Sequence, residues 1–442
     1  MRSTYALSDF PYPADYPEWP SGQQVQTYLD SYARHFTLIQ DLELNTEVTA
    51  CEFDADKNTW QVSTKKTESG FEQSRNFDYL LVCNGIFSTP MVPDYPGKEE
   101  FSKAGGHLCH TSEFTELEKA DGKDVLVVGY GKSSCDVAQA LSGRAKSTTV
   151  IARHLIWKVP KMLMNVLNYK YLLLTRMGEG LFKYIELSGI ERFLHGAGKP
   201  IRNSMLGQVQ WVITKQCKLN ELGLHPGTSF ETIARSTVSL VTDGFFESVG
   251  QGKIGVKKGT SIERLGVEAG QPIAFLSNRE KVAADIVVCG TGWHQSVGFL
   301  PQPLQRKITD EQGNFRLYRS MVPVDVPRLA FNGYNSSFFS QLNCEVGAMW
   351  LADMLGGHLK LPAAHVQNEH ITKRLAWMQE RTDGKHSKGT NIIPFSVHHI
   401  DELLKDMGLP LSAAVRFKQW LMPIFPGDFA IVQKKLLQRH QH

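Results

Sequence analysis

Three features that would assign this 442-residue chain to a familiar class are missing: a C-x-x-C pair, a long uninterrupted apolar run and a strong net charge. Its seven cysteines are odd in number and widely scattered, which argues against a disulfide scaffold, a zinc site or a dithiol redox centre. A formal net charge of +3 provides no electrostatic footprint for nucleic acid or an anionic membrane. We therefore expect reduced cysteines, a cytoplasmic location and small molecules as partners.

Several local signals are absent too. The first twenty residues are rich in Pro, Asp and Tyr and lack the apolar centre of a secretion signal. The most hydrophobic stretch, residues 155–174, is interrupted by three lysines and a proline, so we expect a surface-lying or buried helix and not a transmembrane one. No G-x-S-x-G elbow or P-loop occurs, which removes the common hydrolase and nucleoside-triphosphatase interpretations. No metal site is predicted: His365, Glu369 and His370 match no zinc-helix pattern, and the adjacent His398 and His399 point in different directions.

From Lys123 onward, the sequence shows a strand (DVLVVG), a glycine turn, a helix (KSSCDVAQALSG) and a second strand (STTVIAR), which form one βαβ unit. The turn, Gly129-Tyr130-Gly131-Lys132-Ser133-Ser134, has the context that a dinucleotide fingerprint requires. Gly129 permits the tight turn, and Gly131 lets the backbone approach a pyrophosphate held by the helix N–H groups. Ser134 replaces the third glycine, whose place governs helix–strand packing. The alternative is a purely structural βα turn.

A second G-x-G-x-x-G occurs at residues 250–255, but the segment after it alternates like a strand. We predict a turn there. The end of the second βαβ strand is more informative, because an NAD site places an acidic residue about 20 residues after the glycines. Arg153 occupies that place and is followed by His154. An arginine can pair with a 2′-phosphate, which favours NADPH over NADH, whereas the alternative is a solvated arginine at a strand end.

The remaining pattern predicts an α/β protein with more than one core. Residues 23–36 have helical spacing of apolar side chains, a β-meander follows, and the chain beyond about residue 362 is predicted to be helical. The strands DYLLVCNG and DIVVCGTG share an aspartate, a short apolar run ending in cysteine, and a glycine turn. This repetition is expected if the chain leaves a first domain, builds a second and returns.

The order of these motifs resembles the flavin-containing monooxygenases and their Baeyer–Villiger relatives. PGKEEFSKAGGHLCHTSEF is similar to their identifying sequence, with Gly106, His110 and Phe114 in register but Ala104 where an aromatic residue is expected. VLVVGYGKSSCDVA resembles their NADPH fingerprint, and DIVVCGTGW resembles their late A-T-G-type strand with Gly290 in place of alanine. FPYPADYPEWPSGQQVQTYLDSYARHF and SQLNCEVGAMWLADML also look like family segments. The likeness spans nearly the whole chain.

The resemblance implies an α/β fold with two Rossmann-like dinucleotide-binding domains, the NADPH domain being inserted in the FAD domain. The implied ranges are 1–118 and 283–361 for the FAD-binding domain, 119–282 for the NADPH-binding domain and 362–442 for a C-terminal helical region. The predicted cofactor-binding residues are Gly129, Gly131, Ser133, Ser134, Arg153, Asn84, Gly85, His110, Gly290, Thr291, Gly292, Gln341 and Asn343.

The resemblance also implies a reaction: hydride passes from NADPH to FAD, O₂ is captured as a flavin C4a-(hydro)peroxide, and one oxygen atom is transferred to an amine nitrogen or a sulfide. The cofactor carries this chemistry, so no side-chain nucleophile is required and no catalytic residue is assigned. Baeyer–Villiger oxygenation of a ketone is the alternative within the enzymes, and a non-catalytic NADPH-binding protein is the alternative outside them. The sequence leaves homo-oligomerisation open.

One departure from the family concerns the beginning of the chain. Members start with a strand, a G-x-G-x-x-G turn and a helix, and no such motif precedes Asp9-Phe10-Pro11. We therefore expect the first βαβ unit of the FAD domain to be missing. Two explanations stay open at this point: an incomplete version of an active protein, or a natural short form that has lost FAD.

Overall fold

The computed structural model describes residues 1–235, 239–384 and 389–441. The chain forms two compact units, each made of segments that are separate in sequence. Unit 1 contains Met1–Ile86, Lys170–Arg192 and Ser296–His442, and unit 2 contains Phe87–Tyr169 and Phe193–Gln295. The domain ranges given above stay a prediction.

The described helices are distributed along the whole chain. In chain order they are α1 (Gly22–His35), α2 (Lys98–Lys103), α3 (Lys132–Leu141), α4 (Lys170–Leu173), α5 (Arg176–Gly180), α6 (Gly189–His195), α7 (Lys199–Gln216), α8 (Phe245–Gly250), α9 (Gln302–Ile308), α10 (Ser340–Leu355), α11 (Ala364–Thr382), α12 (Ser396–Asp406), α13 (Ala413–Leu421) and α14 (Ala430–His440). Among them, none combines the length and apolar character that crossing a bilayer requires.

Most of the described strands are short. In chain order they are β1 (Thr46–Asp54), β2 (Thr59–Lys66), β3 (Glu72–Phe77), β4 (Leu80–Val82), β5 (Thr89–Pro90), β6 (His107–His110), β7 (Asp124–Val128), β8 (Ser147–Ala152), β9 (Lys158–Val159), β10 (Met162–Leu163), β11 (Leu167–Asn168), β12 (Ser239–Leu240), β13 (Gly255–Lys258), β14 (Ile262–Glu268), β15 (Gln271–Leu276), β16 (Lys281–Ala283), β17 (Ile286–Cys289), β18 (Trp293–His294), β19 (Leu317–Tyr318), β20 (Val322–Pro323) and β21 (Leu329–Phe331).

Unit 2 is built on a five-stranded parallel sheet in the order β13-β8-β7-β17-β6. The predicted βαβ unit is confirmed as β7, α3 and β8. Val125, Leu126 and Val127 of β7 are almost completely buried, as expected of a parallel strand covered on both faces. The strand order reverses between β7 and β17: β8 and β13 lie on one side of β7 in the sheet, whereas β17 and β6 lie on its other side. Such a switch point leaves a crevice at the carboxyl ends of the strands, where ligands bind in open α/β sheets.

Unit 1 contains the antiparallel meander β1-β2-β3 and a parallel pair formed by β4 and β21. Trp60 of β2 and Phe331 of β21 are fully buried in one hydrophobic core, next to Tyr334. Strands β4 and β17, whose sequences are similar, are both parallel strands: β4 pairs with β21 in unit 1, and β17 pairs with β7 in unit 2. Helices α11 to α14 confirm the helical C-terminal region.

Two local predictions have different outcomes. The helix expected over residues 155–174 is wrong, because this stretch forms the short strands β9, β10 and β11, and only Lys170–Leu173 is helical. Pro160 lacks an N–H donor and disfavours a helix through this point, and β9 instead pairs with β12. The turn expected at residues 250–255 is confirmed: Gly250 ends α8 and Gly255 begins β13.

Candidate cofactor-binding site

The first glycine of the fingerprint turn is required by both its conformation and its surroundings. Gly129 directly follows β7 and has a φ of +107°, which side chains with a Cβ rarely adopt. A Cβ at this position would lie 2.7 Å from the Gly290 carbonyl oxygen and 2.8 Å from Ser134 Oγ. The turn therefore brings β7, α3 and the end of β17 into close contact.

The second glycine faces open space. Gly131 is the N-cap residue of α3, and a Cβ built on it would meet no atom of the described residues within 4 Å. In the part of the chain that the structure describes, no side chain caps this helix, and its first turn contains no acidic residue. Ser133 is exposed in that turn. The N–H groups at this helix start have no intrahelical acceptor, and the positive end of the helix dipole lies beside them, so the space before Gly131 is suited to an anion.

The two departures from the family pattern in this region are in contact with each other. Ser134 is fully buried at the third fingerprint position, and a Cβ on Gly290 would overlap its Oγ. The same Cβ would lie 3.1 Å from Ser134 Cβ and 3.1 Å from the Val128 carbonyl oxygen. The serine therefore occupies the space that an alanine at position 290 would need.

Arg153 lies where a ribose phosphate would be recognised. It follows β8 directly and is exposed, as is His154. The end of β8 is adjacent to the fingerprint turn, since the Gly129 N–H donates to the Ile151 carbonyl over 2.9 Å. A guanidinium at this edge can bind a phosphate through two parallel hydrogen bonds. The structure thus brings Arg153 to the same edge of the sheet as the fingerprint turn.

His110 and the loop after β17 lie at this edge as well. His110 ends β6, its Nδ1 is 2.8 Å from Ser112 Oγ, and its ring packs edge-on against Trp293. Its buried Nε2 has no hydrogen-bond partner among the described residues. Thr291 Oγ1 donates to the Met91 carbonyl, and the Met91 N–H donates to the Gly292 carbonyl over 3.0 Å. These hydrogen bonds fix the loop after β17, and His110 Nε2 can still form a hydrogen bond with a ligand.

Sequence reasoning missed one charged residue of this region. Lys158, at the start of β9, is buried, and its ammonium donates to the Tyr130 carbonyl over 2.7 Å and to Ser239 Oγ over 3.0 Å. In the sequence it was only an interruption of an apolar stretch. The one signal available was the interruption itself, because a lysine within an otherwise buried segment requires polar partners.

In unit 1, Asn84 and Gly85 follow β4. Asn84 Nδ2 donates to the Ser296 carbonyl over 2.9 Å, and the Tyr334 hydroxyl donates to Asn84 Oδ1 over 2.5 Å. Gly85 has a φ of +74° and open space around it. Asn84 thus links segments distant in sequence, and the backbone at Gly85 is accessible to a ligand.

The structure separates the two predicted residues of α10. Gln341 lines a cavity of about 610 Å³ whose other walls include Tyr32 and Leu436. Asn343 is fully buried, and its Nδ2 donates to Ser337 Oγ and to the Phe339 carbonyl, each over 3.0 Å. These bonds stabilise the start of α10. Gln341 therefore lines a ligand-sized cavity, whereas the Asn343 amide nitrogen is bound within its own segment.

Unit 1 also contains buried charged side chains that the sequence did not reveal as a cluster. His398 contacts Glu179 through Nδ1 over 2.5 Å and Glu191 through Nε2 over 2.8 Å. Burial disfavours the imidazolium, but the hydrogen bonds to both carboxylates outweigh burial and raise the pKa of His398 to about 10. Glu179 also accepts the N–H groups of Val397 and His398, at the start of α12. The group is a structural ion cluster.

Comparison with known proteins identifies the family. The sequence model described as flavin-binding monooxygenase-like matches residues 2–412. The chain belongs to the flavin-binding monooxygenase-like family. This confirms the resemblance found in the sequence.

Relatives and solved structures agree with this assignment. "Probable flavin-containing monooxygenase 1" of Arabidopsis thaliana is 26% identical over 444 residues, covering 92% of this chain and 82% of the relative. S-allyl-L-cysteine S-oxygenase from Allium sativum superimposes with a TM-score of 0.61 at 15% identity, covering 100% of this chain and 81% of that one. Cyclohexanone monooxygenase from Rhodococcus sp. Phi1, bound to NADP+, gives a TM-score of 0.60 at 17% identity, covering 92% and 89%. At these identities the structural likeness shows the fold alone, which is of the two-domain Rossmann type.

This member of the flavin-binding monooxygenase-like family is a flavin-dependent monooxygenase, an oxidoreductase whose cofactors are FAD and NADPH and which acts on a small molecule with O₂. Unit 2 fits a dinucleotide, since Gly131 faces open space and the α3 start is uncapped. Within the described residues of unit 1, no parallel strand is followed by a G-x-G turn that opens a helix. A second pyrophosphate site of that kind is therefore not formed by these described residues.

Proposed function

We propose that unit 2 binds NADPH at the carboxyl edge of its parallel sheet, with the pyrophosphate in front of Gly131. The open space at Gly131, combined with the uncapped start of α3, carries this proposal. In most turns, a glycine without positive φ and without a neighbour could be replaced by alanine. Here a bound anion explains why no side chain occupies the space. Ser133, which is exposed in the first turn, is proposed to donate to the same anion.

The 2′-phosphate of NADPH is assigned to Arg153. The residue is exposed, follows β8, and lies at the edge where the ribose of a dinucleotide on a parallel sheet is recognised. With arginine in place of an acidic residue, the site attracts a phosphate and offers no acceptor for a free 2′-hydroxyl. His154, the next residue in the sequence, is also exposed and carries an imidazole ring.

The nicotinamide half is proposed to extend along the ends of β17 and β6. His110 offers a buried Nε2 that has no partner among the described residues, and Gly290, Thr291 and Gly292 directly follow β17 at the switch point. Hydrogen bonding from a fixed imidazole and exclusion of water by Trp293 are the contributions of these side chains. NADPH supplies hydride when bound. In unit 1, Asn84, Gly85, Gln341 and Asn343 stay predicted cofactor contacts.

The substrate class is proposed to be a soft nucleophile, an amine nitrogen or a sulfide sulfur. The likeness to S-allyl-L-cysteine S-oxygenase over 100% of this chain supports the sulfide. A cyclic ketone is the second candidate, favoured by the likeness to cyclohexanone monooxygenase over 92% of the chain. A cytoplasmic location is also proposed, because all seven cysteines are unpaired and six of them lie at least partly buried.

Product analysis tests the substrate class. The purified protein would be supplied with FAD, NADPH and, in parallel, a dialkyl sulfide, a tertiary amine and a cyclohexanone. We expect substrate-dependent O₂ uptake with the first two, and a sulfoxide or N-oxide that carries one atom from ¹⁸O₂. Lactone as the main product would favour the ketone reaction. NADPH binding without O₂ uptake in any of the three would refute the proposed oxygenation.

A further inference from the structure

Lys158 has an environment that stability alone does not explain. Its side chain is 2% exposed, its ammonium donates to the Tyr130 carbonyl and to Ser239 Oγ, and its Nζ lies 4.6 Å from the centre of the Tyr130 ring. Throughout the described ranges, no carboxylate lies within ion-pair distance of it. A buried charge without an ion pair is costly, because it gives up its hydration. Such groups occur preferentially where a function requires the charge.

The ammonium acts on one peptide unit of the fingerprint turn. In a planar trans peptide, the carbonyl and the N–H of the next residue point in opposite directions. Lys158 holds the Tyr130 carbonyl toward the protein interior, and the Gly131 N–H of the same peptide therefore points away from the interior. Around Gly131 itself the described residues leave open space, since a Cβ built there would meet none of their atoms within 4 Å.

We propose that Lys158 is a positioning residue for the dinucleotide, whose ammonium fixes the Tyr130 carbonyl and thereby aims the Gly131 N–H at the pyrophosphate. This inference rests on the proposed binding of NADPH at Gly131. The alternative orientation of the peptide would turn its carbonyl oxygen toward the anion and repel it. The hydrogen bond of Lys158 thus makes the turn ready for an anion before the anion arrives.

The charge itself adds to the effect. Lys158 and Tyr130 are both buried, and charges inside a protein are screened less than charges in water. The charged and titratable groups that face the ammonium are Cys135, Lys132 and Asp136 of α3 and the ring of Tyr130. Burial raises the pKa of the Cys135 thiol, so it stays neutral, whereas burial lowers the pKa of Lys158. The positive charge is therefore lost at a lower pH than in an exposed lysine.

NADPH and NADH share the pyrophosphate and differ in the 2′-phosphate, so replacing Lys158 and replacing Arg153 should change the two affinities differently. Loss of the Lys158 ammonium is expected to weaken both dinucleotides by a similar factor of roughly tenfold, the usual effect of one charge-assisted hydrogen bond. Loss of Arg153 is expected to weaken NADPH selectively. The ratio of the two affinities therefore separates orientation of the turn from recognition of the 2′-phosphate.

The experiment measures the dissociation constants of NADP⁺ and NAD⁺ by calorimetry for the wild type, K158M, K158R and K161M. Lys161 is the matched control, since it lies three residues on and pairs with Asp243 at the surface. We expect K158M to weaken both ligands roughly tenfold, K158R to stay within about threefold of the wild type, and K161M to be unchanged. A folded K158M with unchanged affinity for both ligands would overturn the proposal.

If K158M does not fold, a pH titration decides. As the pH rises, the wild type should lose several-fold in affinity for both ligands at a pH below that at which an exposed lysine loses its proton, because burial lowers the pKa of Lys158. K158R should not lose affinity there, because a guanidinium keeps its proton to above about pH 12. Equal profiles for the two proteins overturn the proposal. The variant G131V separates failure of the NADPH site from failure of the role proposed for Lys158. If G131V binds both dinucleotides as the wild type does, the NADPH site is misplaced. If G131V loses binding while K158M does not, only the role of Lys158 is refuted.

Discussion

The close contact between Ser134 and Gly290 leads us to predict how much Gly290→Ala lowers the stability of the fold. In Gly290→Ala, the new Cβ would overlap Ser134 Oγ and press on Ser134 Cβ and the Val128 carbonyl oxygen, each 3.1 Å away. Ser134 is fully buried on α3, so relief requires a shift of the helix or an unfavourable rotamer. Overpacking of this kind costs about 1–3 kcal/mol. For a unit of this size, that cost lowers the Tm by about 2–4 °C per kcal/mol.

The second half of the prediction is a rescue. Ser134→Gly alone should cost about 0.5 kcal/mol, because glycine is a poorer helix residue than serine, and its hydrogen bond to Val128 is long at 3.3 Å. With Oγ and Cβ removed, the Val128 carbonyl oxygen is the one that remains of the three atoms nearest to the new Cβ of Gly290→Ala. The double variant should therefore be more stable than the sum of the single changes by about 1 kcal/mol or more.

Thermal unfolding of the four proteins, followed by circular dichroism without dinucleotide, measures the coupling. Gly131→Ala is the matched control: its φ of −74° suits alanine and its Cβ would meet nothing within 4 Å, so its Tm should be unchanged or slightly raised. The reasoning fails if Gly290→Ala lowers the Tm no more than this control, or if Ser134→Gly leaves the cost of the alanine unchanged.

Three further outcomes are expected. Arg153→Ala should weaken NADPH by about tenfold to a hundredfold and NADH hardly at all; equal losses in a binding titration would remove the arginine from the phosphate site. Gly131→Val should reduce the affinity for both dinucleotides more than tenfold at nearly constant Tm, and unchanged affinity would contradict the fingerprint assignment. The contacts of His398 with Glu179 and Glu191 raise its pKa to about 10. Because the folded pKa is the higher one, the stabilisation is fully present below about pH 6.5 and is lost as the pH rises through about 10. The Tm difference between the wild type and His398→Gln should thus correspond to about 3 kcal/mol near neutrality and shrink toward pH 10, whereas a constant difference would contradict the assignment.

The parts of the fold predicted correctly are those set by local sequence. The βαβ unit of residues 124–152 and its turn follow from apolar runs, glycines and helical spacing within thirty residues. The helix predicted over residues 23–36 is observed as Gly22–His35, because Ser21 and Gln24 form a capping box at its start. The helix predicted over residues 155–174 failed because hydrophobicity alone does not distinguish a helix from short strands.

The parts that escaped prediction depend on contacts between distant positions. Ser134 and Gly290 were each visible as a departure from the family pattern, but nothing local shows that they touch, since they are separated by 156 residues. Likewise, the hydrogen-bond partners of Lys158 are Tyr130 and Ser239, which are 28 and 81 residues away in the sequence. The sequence thus revealed which residues were unusual, and only the packing of β7, β17 and α3 shows that two of them compensate each other.

The segment Lys170–Arg192 shows the same dependence on distant contacts at the level of a whole unit. It lies between the two parts of unit 2 in sequence but belongs to unit 1. Arg176 donates to Asp401 through its two terminal guanidinium nitrogens, and Glu179 contacts His398 and the start of α12. Both ends of these pairs are largely buried, so removing one partner leaves a buried charge without compensation and costs more than losing an exposed pair. The segment is joined to unit 1 by these ion pairs together with the packing of Tyr184 against Trp377 and Phe395, and such contacts with distant positions are not visible in the segment's own sequence.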